Sequence, residues 1–134
     1  MKTLFVFLSL LQLAWGFSPT DLNRLLNTNK CPNCDLSGAD LSGASLVDAD
    51  LSGANFSEAI IMGANLTGAN LTGANLNEAN LEGCNLWRAN LSGANLRKAS
   101  IVGCNIAAAM FDNSYVGGAK VEKNQLRWLQ NTPQ

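Results

Sequence analysis

Large apolar residues recur at every fifth position from Leu36 to Phe111, sixteen in unbroken succession. Two residues before each of these centres stands a small residue, which is alanine thirteen times and Cys34, Cys84 or Cys104 otherwise. Asn or Asp usually separates the two, and Ser or Thr and then Gly usually follow the centre. A helix advancing about 100° per residue would scatter such centres around its whole circumference. A flat strand would send successive centres to opposite faces. The pattern buries itself only if the backbone turns a corner once per repeat, so that centres and small residues share one interior axis. Gly, Asn and Asp tolerate such corners. The period therefore predicts a solenoid in which each coil buries its apolar residues against the next.

The repeats Ala39-Asp-Leu-Ser-Gly43, Ala64-Asn-Leu-Thr-Gly68 and Ala89-Asn-Leu-Ser-Gly93 resemble those of the pentapeptide-repeat proteins. The resemblance spans residues 34–113, with a weak extension to about 121. It implies an all-β fold, a right-handed, four-sided parallel β-helix of about four coils with four repeats in each. Four sides are implied by the family, not by the spacing. Position n then stacks on n+20 across the roughly 4.8 Å that separates paired strands. Each buried centre contributes about 1.5–3 kcal/mol. Asp50, Asn70 and Asn90 are expected to form an outward polar ladder.

Both ends depart from the repeat. Lys2 precedes an apolar run from Leu4 to Trp15 that closes in Ala14-Trp15-Gly16. The run reads as a secretory signal peptide, residues 1–16, cut after Gly16. It is short for a membrane span, so no membrane attachment is expected after cleavage. Residues 17–33 read as a capping helix and loop, with Ser18 as N-cap, Pro19 in the first turn and a helix over 19–27. Such a cap covers the apolar end that a solenoid would otherwise leave open to end-to-end association. Residues 122–134, with Trp128 and Leu129, read as a second cap or tail, and the assembly as a monomer or an end-to-end dimer.

Cys31-Pro-Asn-Cys34 has the C-x-x-C spacing of redox proteins. A redox cysteine needs an exposed, electropositive seat, whereas Cys34 falls on an inward small position. A structural disulfide between Cys31 and Cys34 is the reading that fits export. The C-P-x-C-D-L sequence here is similar to that of some exported cyanobacterial pentapeptide-repeat proteins. Cys84 and Cys104 are twenty apart and stack in one column, either as two buried thiols or as a second disulfide. The two pairs lie at different heights and faces, which disfavours a cysteine-only zinc site. Four Asn-x-Ser/Thr sequons follow automatically from the repeat and carry no information of their own.

The formal charge is −1, aromatics are few and histidine is absent. These features argue against nucleic-acid binding through basic patches and against imidazole catalysis. No nucleophile–base pair, phosphate loop or metal cluster stands out, and no cofactor is expected. Seven acids and no base lie between Asp35 and Glu82. Some family members inhibit DNA gyrase through an acidic, DNA-like surface, which makes a gyrase or topoisomerase inhibitor the alternative function. A thiol–disulfide redox protein acting through Cys31 and Cys34 is the second alternative. Met62, Trp87 and Val102, with Val47 and Ile60 nearby, interrupt the polar exterior and form the candidate interaction patch. The leading expectation is a non-enzymatic module, exported to the periplasm, thylakoid lumen or exterior, that contacts a protein partner of unknown identity.

Overall fold

The computed structural model describes residues 16–129. The leader assigned to residues 1–16 lies outside them except for Gly16, as do residues 130–134 and the Trp128 side chain. Two helices flank the repeats: α1, Pro19–Thr28, and α2, Lys123–Leu129. Ser18 caps α1 through its hydroxyl, which accepts the Asp21 N–H at 3.2 Å, and Pro19 opens the first turn as the sequence predicts. Asn29 ends the helix in the left-handed conformation, φ 58°. Leu22 and Leu25 of α1 are buried with Phe17 in the same core as the repeat centres.

Between the helices every fifth residue forms a parallel bridge with the residue twenty positions on, beginning at Lys30↔Asp50 and ending at Ser100↔Lys120. Four such columns run side by side, so the cross-section has four sides. No side is longer than one bridge, because a corner intervenes in every repeat. The backbone bonds explain how so short a side holds. Leu51 N–H donates to Asn70 O at 2.8 Å, Asn70 N–H to Ala49 O at 2.9 Å, and Gly53 N–H to Thr72 O at 2.9 Å. Within the coil Ala54 N–H donates to Leu51 O at 3.1 Å, closing a β-turn whose third residue has positive φ, as a type II turn requires. Glycine fills this corner in most repeats, but Glu58, Glu78, Arg88, Lys98 and Ala108 hold φ between 57° and 60° there.

Every centre is buried, from Leu36 to Phe111, and so is Val116. The rungs begin earlier than the sequence predicts and end where its weak extension does. Lys30 and Lys120 are bridge residues, so the regular backbone starts before Cys34 and reaches the limit of the weak extension. Cys31, placed by sequence in a capping loop, instead takes a centre position. Its N–H donates to Asp50 O at 2.7 Å and its side chain is fully buried. Small size had disguised it, since every other centre from Leu36 onward is a large hydrocarbon.

The outward polar column of Asp50, Asn70 and Asn90 forms as the register predicts, while side-chain bonds between coils run in other columns. Asp50, Asn70 and Asn90 stack as bridges, but the carboxamide bonds run Asn95→Asn75→Asn55 and Asn105→Asn85, each with Nδ2 to Oδ1 at 3.4 Å. The reason is competition for one oxygen. Each of these Oδ1 atoms already accepts the N–H two residues on, the local Asx turn. At Asp50 and Asn70 the following Ser52 or Thr72 hydroxyl donates to the same Oδ1, at 2.8 and 2.6 Å, and fills it. At Asn75 and Asn85 the residue two on has no hydroxyl, and at Asn55 only the N–H of Ser57 reaches Oδ1, so in each case the oxygen is left for the next coil.

Candidate functional site

Three places concentrate polar or reactive groups: the cysteines, the outer apolar residues and the first coil beneath α1. Cys31 and Cys34 stand at disulfide distance with Cα atoms 5.3 Å apart, joining a centre to the next small position across one corner. Both are buried, and the Asp21 carbonyl of α1 lies 3.2 Å from Cys31 Sγ. A sulfur pair packed under a helix lacks the access that thiol exchange requires.

Cys84 and Cys104 are free and buried. Each thiol donates to the carbonyl of a centre 23 residues earlier, Cys84 Sγ to Ile61 O at 2.7 Å and Cys104 Sγ to Leu81 O at 2.8 Å. The contact with Cys84 and then burial push the Cys104 thiol well above its ordinary pKa, which keeps it protonated. Gln125 of α2 continues this series. Its Nε2 donates to Ile101 O at 2.8 Å and to Cys104 O at 3.1 Å, while its Oε1 accepts the Glu122 N–H at 2.8 Å. The sequence reading missed Gln125. The signal available was the spacing of Glu122 and Gln125, three apart at the start of a helix, as in a capping box.

The candidate patch residues lie on two neighbouring sides of the solenoid, as the register places them. Met62 and Trp87 are exposed, whereas Val102 is half-buried. Met62 and Val102 occupy one column, but Glu82 stands between them and accepts the Ser100 hydroxyl at 2.9 Å. Trp87 lies on the next side, past the corner at Gly83, with the Arg88 guanidinium 5.3 Å from its ring centre. A second such pair was not foreseen: Arg97 sits 4.4 Å over the Tyr115 ring. Glu78 and Lys98 stack as the register predicts, with Nζ 3.6 Å from Oε1 and both side chains well exposed. Asp35, Asp40, Asp50 and Glu58 stand in separate columns, so the acids form no single continuous face.

The first coil carries a half-open groove of about 260 Å³ between α1 and the Asp40–Ser45 side. Leu22, Leu26, Leu41 and Ala44 supply its apolar wall and Asp40 and Ser42 its polar rim. Ser42 donates its hydroxyl at 2.6 Å and its N–H at 3.0 Å to Asp40 Oδ1. These bonds hold the Asp40 carboxyl below its ordinary pKa, and it is ionised at neutral pH.

A four-cornered parallel solenoid with an apolar interior and an Asx turn at most corners defines a β-helix repeat protein. The model of the family "Pentapeptide repeats" matches residues 34–73 and 74–113, eight copies in all. The chain belongs to the pentapeptide-repeat family, whose fold is the right-handed, four-sided β-helix. No curated protein matches the sequence. Among solved structures, a pentapeptide repeat protein of the Arabidopsis thaliana thylakoid lumen is 31% identical, over 75% of this chain and 74% of that one, with a TM-score of 0.42. Rfr23 of the cyanobacterium Cyanothece 51142 is 28% identical, over 85% of this chain and 97% of that one, with a TM-score of 0.41. HetL of the cyanobacterium Nostoc, a protein involved in heterocyst differentiation regulation, is 33% identical over 67% of this chain and 48% of that one, with a TM-score of 0.36.

Proposed function

We propose that this chain is an exported, non-enzymatic β-solenoid that presents a rigid surface to a protein partner. In this reading α1 caps a stack of four coils and part of a fifth, and the Cys31–Cys34 disulfide fastens the first corner. The observation that carries the proposal is the division between inside and outside. The inward positions from Leu36 to Phe111 are filled by hydrocarbon or a cysteine sulfur, and the outward positions repeat on a fixed lattice of bridges. Such a lattice costs little conformational entropy to bring to an interface, because its backbone is already ordered. Export is supported by the apolar run between Lys2 and Gly16 and by the disulfide, which persists only in oxidising compartments. The compartment is the periplasm, the thylakoid lumen or the exterior. The separation of the acids into several columns favours a solvated coat over DNA mimicry. Fractionation of cells expressing a tagged chain, combined with crosslinking, tests location and neighbours together. Cytoplasmic retention, or insulin reduction that depends on Cys31, would overturn the proposal.

A further inference from the structure

Among the described residues no coil precedes the first, and α1 with its cap takes the place of one at two of the four rungs. At Lys30 the Thr28 hydroxyl accepts the N–H at 3.2 Å and shares its own proton between the carbonyls of Arg24, at 2.6 Å, and Lys30, at 3.1 Å. At Asp35 the N–H donates to Asp21 Oδ2 at 2.9 Å, and the carbonyl accepts the Ser18 N–H at 3.0 Å. At Asp40 neither backbone group has a partner among the described residues. One coil later Ile60 makes both bonds, its N–H to Ala39 O at 2.9 Å and its carbonyl to Leu41 N–H at 2.7 Å. The unpaired rung borders the groove walled by Leu22, Leu26, Leu41 and Ala44. An unpaired rung beside an apolar groove can bond the N–H and C=O of one residue of an extended peptide while a neighbouring side chain of that peptide enters the groove.

We propose that the Asp40 rung and its groove receive an extended segment of a partner protein, with an aliphatic side chain in the groove and a lysine or arginine beside it. The inference rests on the interaction reading above and gives the partner its chemistry. Charge selects the occupant. The Asp40 carboxylate offers its Oδ2 at the rim and is the one charged side chain among the residues that line the groove. A second copy docking edge to edge would bring two Asp40 carboxylates together, whereas a basic segment is attracted.

The probe is a capped hexapeptide of alternating lysine and valine, titrated into the 15N-labelled full chain. The expected result is saturable movement of the amide signals of Asp40, Leu41, Ser42 and Gly43. N-methylation of alternate peptide nitrogens, or glutamate in place of lysine, should weaken binding at least tenfold. Asp40→Lys should weaken the lysine peptide at least tenfold and strengthen the glutamate peptide. Asp40→Asn, which installs the residue most repeats carry here, keeps the turn and should weaken binding severalfold. Signal changes confined to other sides, equal binding of the N-methylated peptide, or indifference to Asp40→Lys would overturn the proposal. In cells, a photo-crosslinking residue replacing Ser42 should give a partner adduct that the lysine–valine peptide competes away. Adducts formed only from a crosslinker replacing Trp87 overturn the groove and keep the wider interaction reading. Adducts from neither position overturn both.

Discussion

Removing the Gln125 side chain tests how the C-terminal end of the solenoid is closed. Gln125→Ala deletes two donated bonds and one accepted bond from a residue that is only 3% exposed. Ile101 O keeps the Cys104 N–H as a partner at 3.1 Å, so its loss is partial. Cys104 O is left without a partner. One stranded buried carbonyl costs about 1–3 kcal/mol, and each of the other bonds about 1 kcal/mol. Water entering the vacated space offsets some of this, so the expected loss is about 2–4 kcal/mol. Urea unfolding followed by circular dichroism gives the total, and hydrogen exchange gives the place. Protection should fall first across Ile101–Val121, while Leu51–Ala79 stay protected, because solenoid coils depend mainly on their neighbours. Gln125→Glu sharpens the test by pointing a carboxylate at the carbonyls of Ile101 and Cys104. Folding then raises that carboxyl's pKa above its ordinary value near ~4.3. Stability is therefore retained below that pH and falls as pH rises through the folded pKa. An unchanged urea midpoint and unchanged exchange at Asn105 and Ile106 in Gln125→Ala would refute the closing role.

Gly53 and Gly43 share a left-handed corner conformation, but a Cβ at Gly53 would collide with the Asn33 carboxamide oxygen and one at Gly43 would meet open space. The Asn33 side chain is exposed and can swing clear, so Gly53→Ala and Gly43→Ala should each cost about 1–2 kcal/mol in thermal unfolding, the cost of the left-handed corner itself. Ala108→Gly, at an exposed corner with φ 57°, should stabilise by about 0.5–1 kcal/mol, because relief of the left-handed strain exceeds the added chain entropy. Reduction of Cys31–Cys34 should cost roughly 2 kcal/mol for so short a loop, read as lost hydrogen-exchange protection around Lys30–Ala39. Ser42→Ala should raise the Asp40 pKa measured by NMR. Because folding lowers that pKa, the stabilisation is present above ~3.8 and is lost as pH falls through the folded value.

The solenoid was legible because its signal is repeated sixteen times and depends only on volume and polarity. The n+20 register, the burial of Leu46, Leu66 and Leu86, and the Glu78–Lys98 pair all follow once the four sides are granted. Helix α1 was legible from Ser18 and Pro19, whose preference is local. What escaped the sequence depends on geometry between distant parts. Thr28 and Asp21 look like ordinary helix residues until the helix lies across an open edge. Gln125 becomes a closing residue only where α2 meets Ile101 and Cys104. The carboxamide bonds between coils were not foreseen, because the hydroxyl that competes at Asp50 and Asn70 sits two residues away, a local rule that the stacking register does not contain. In the column of the apolar patch the same register sets Glu82 between Met62 and Val102.

The five-residue turn and the twenty-residue stack obey separate rules, and that separation bears on how such chains diversify. Loss or gain of a single turn would leave every leucine inside, yet rotate all later residues by a quarter revolution against those before. Placed between Cys84 and Lys98, such a change would part Glu78 from Lys98 and Cys84 from Cys104, and the exterior residues within one coil of it would acquire new neighbours. Lineages of these proteins can thus reshuffle their outward chemistry in one step while the hydrocarbon spine goes unaltered.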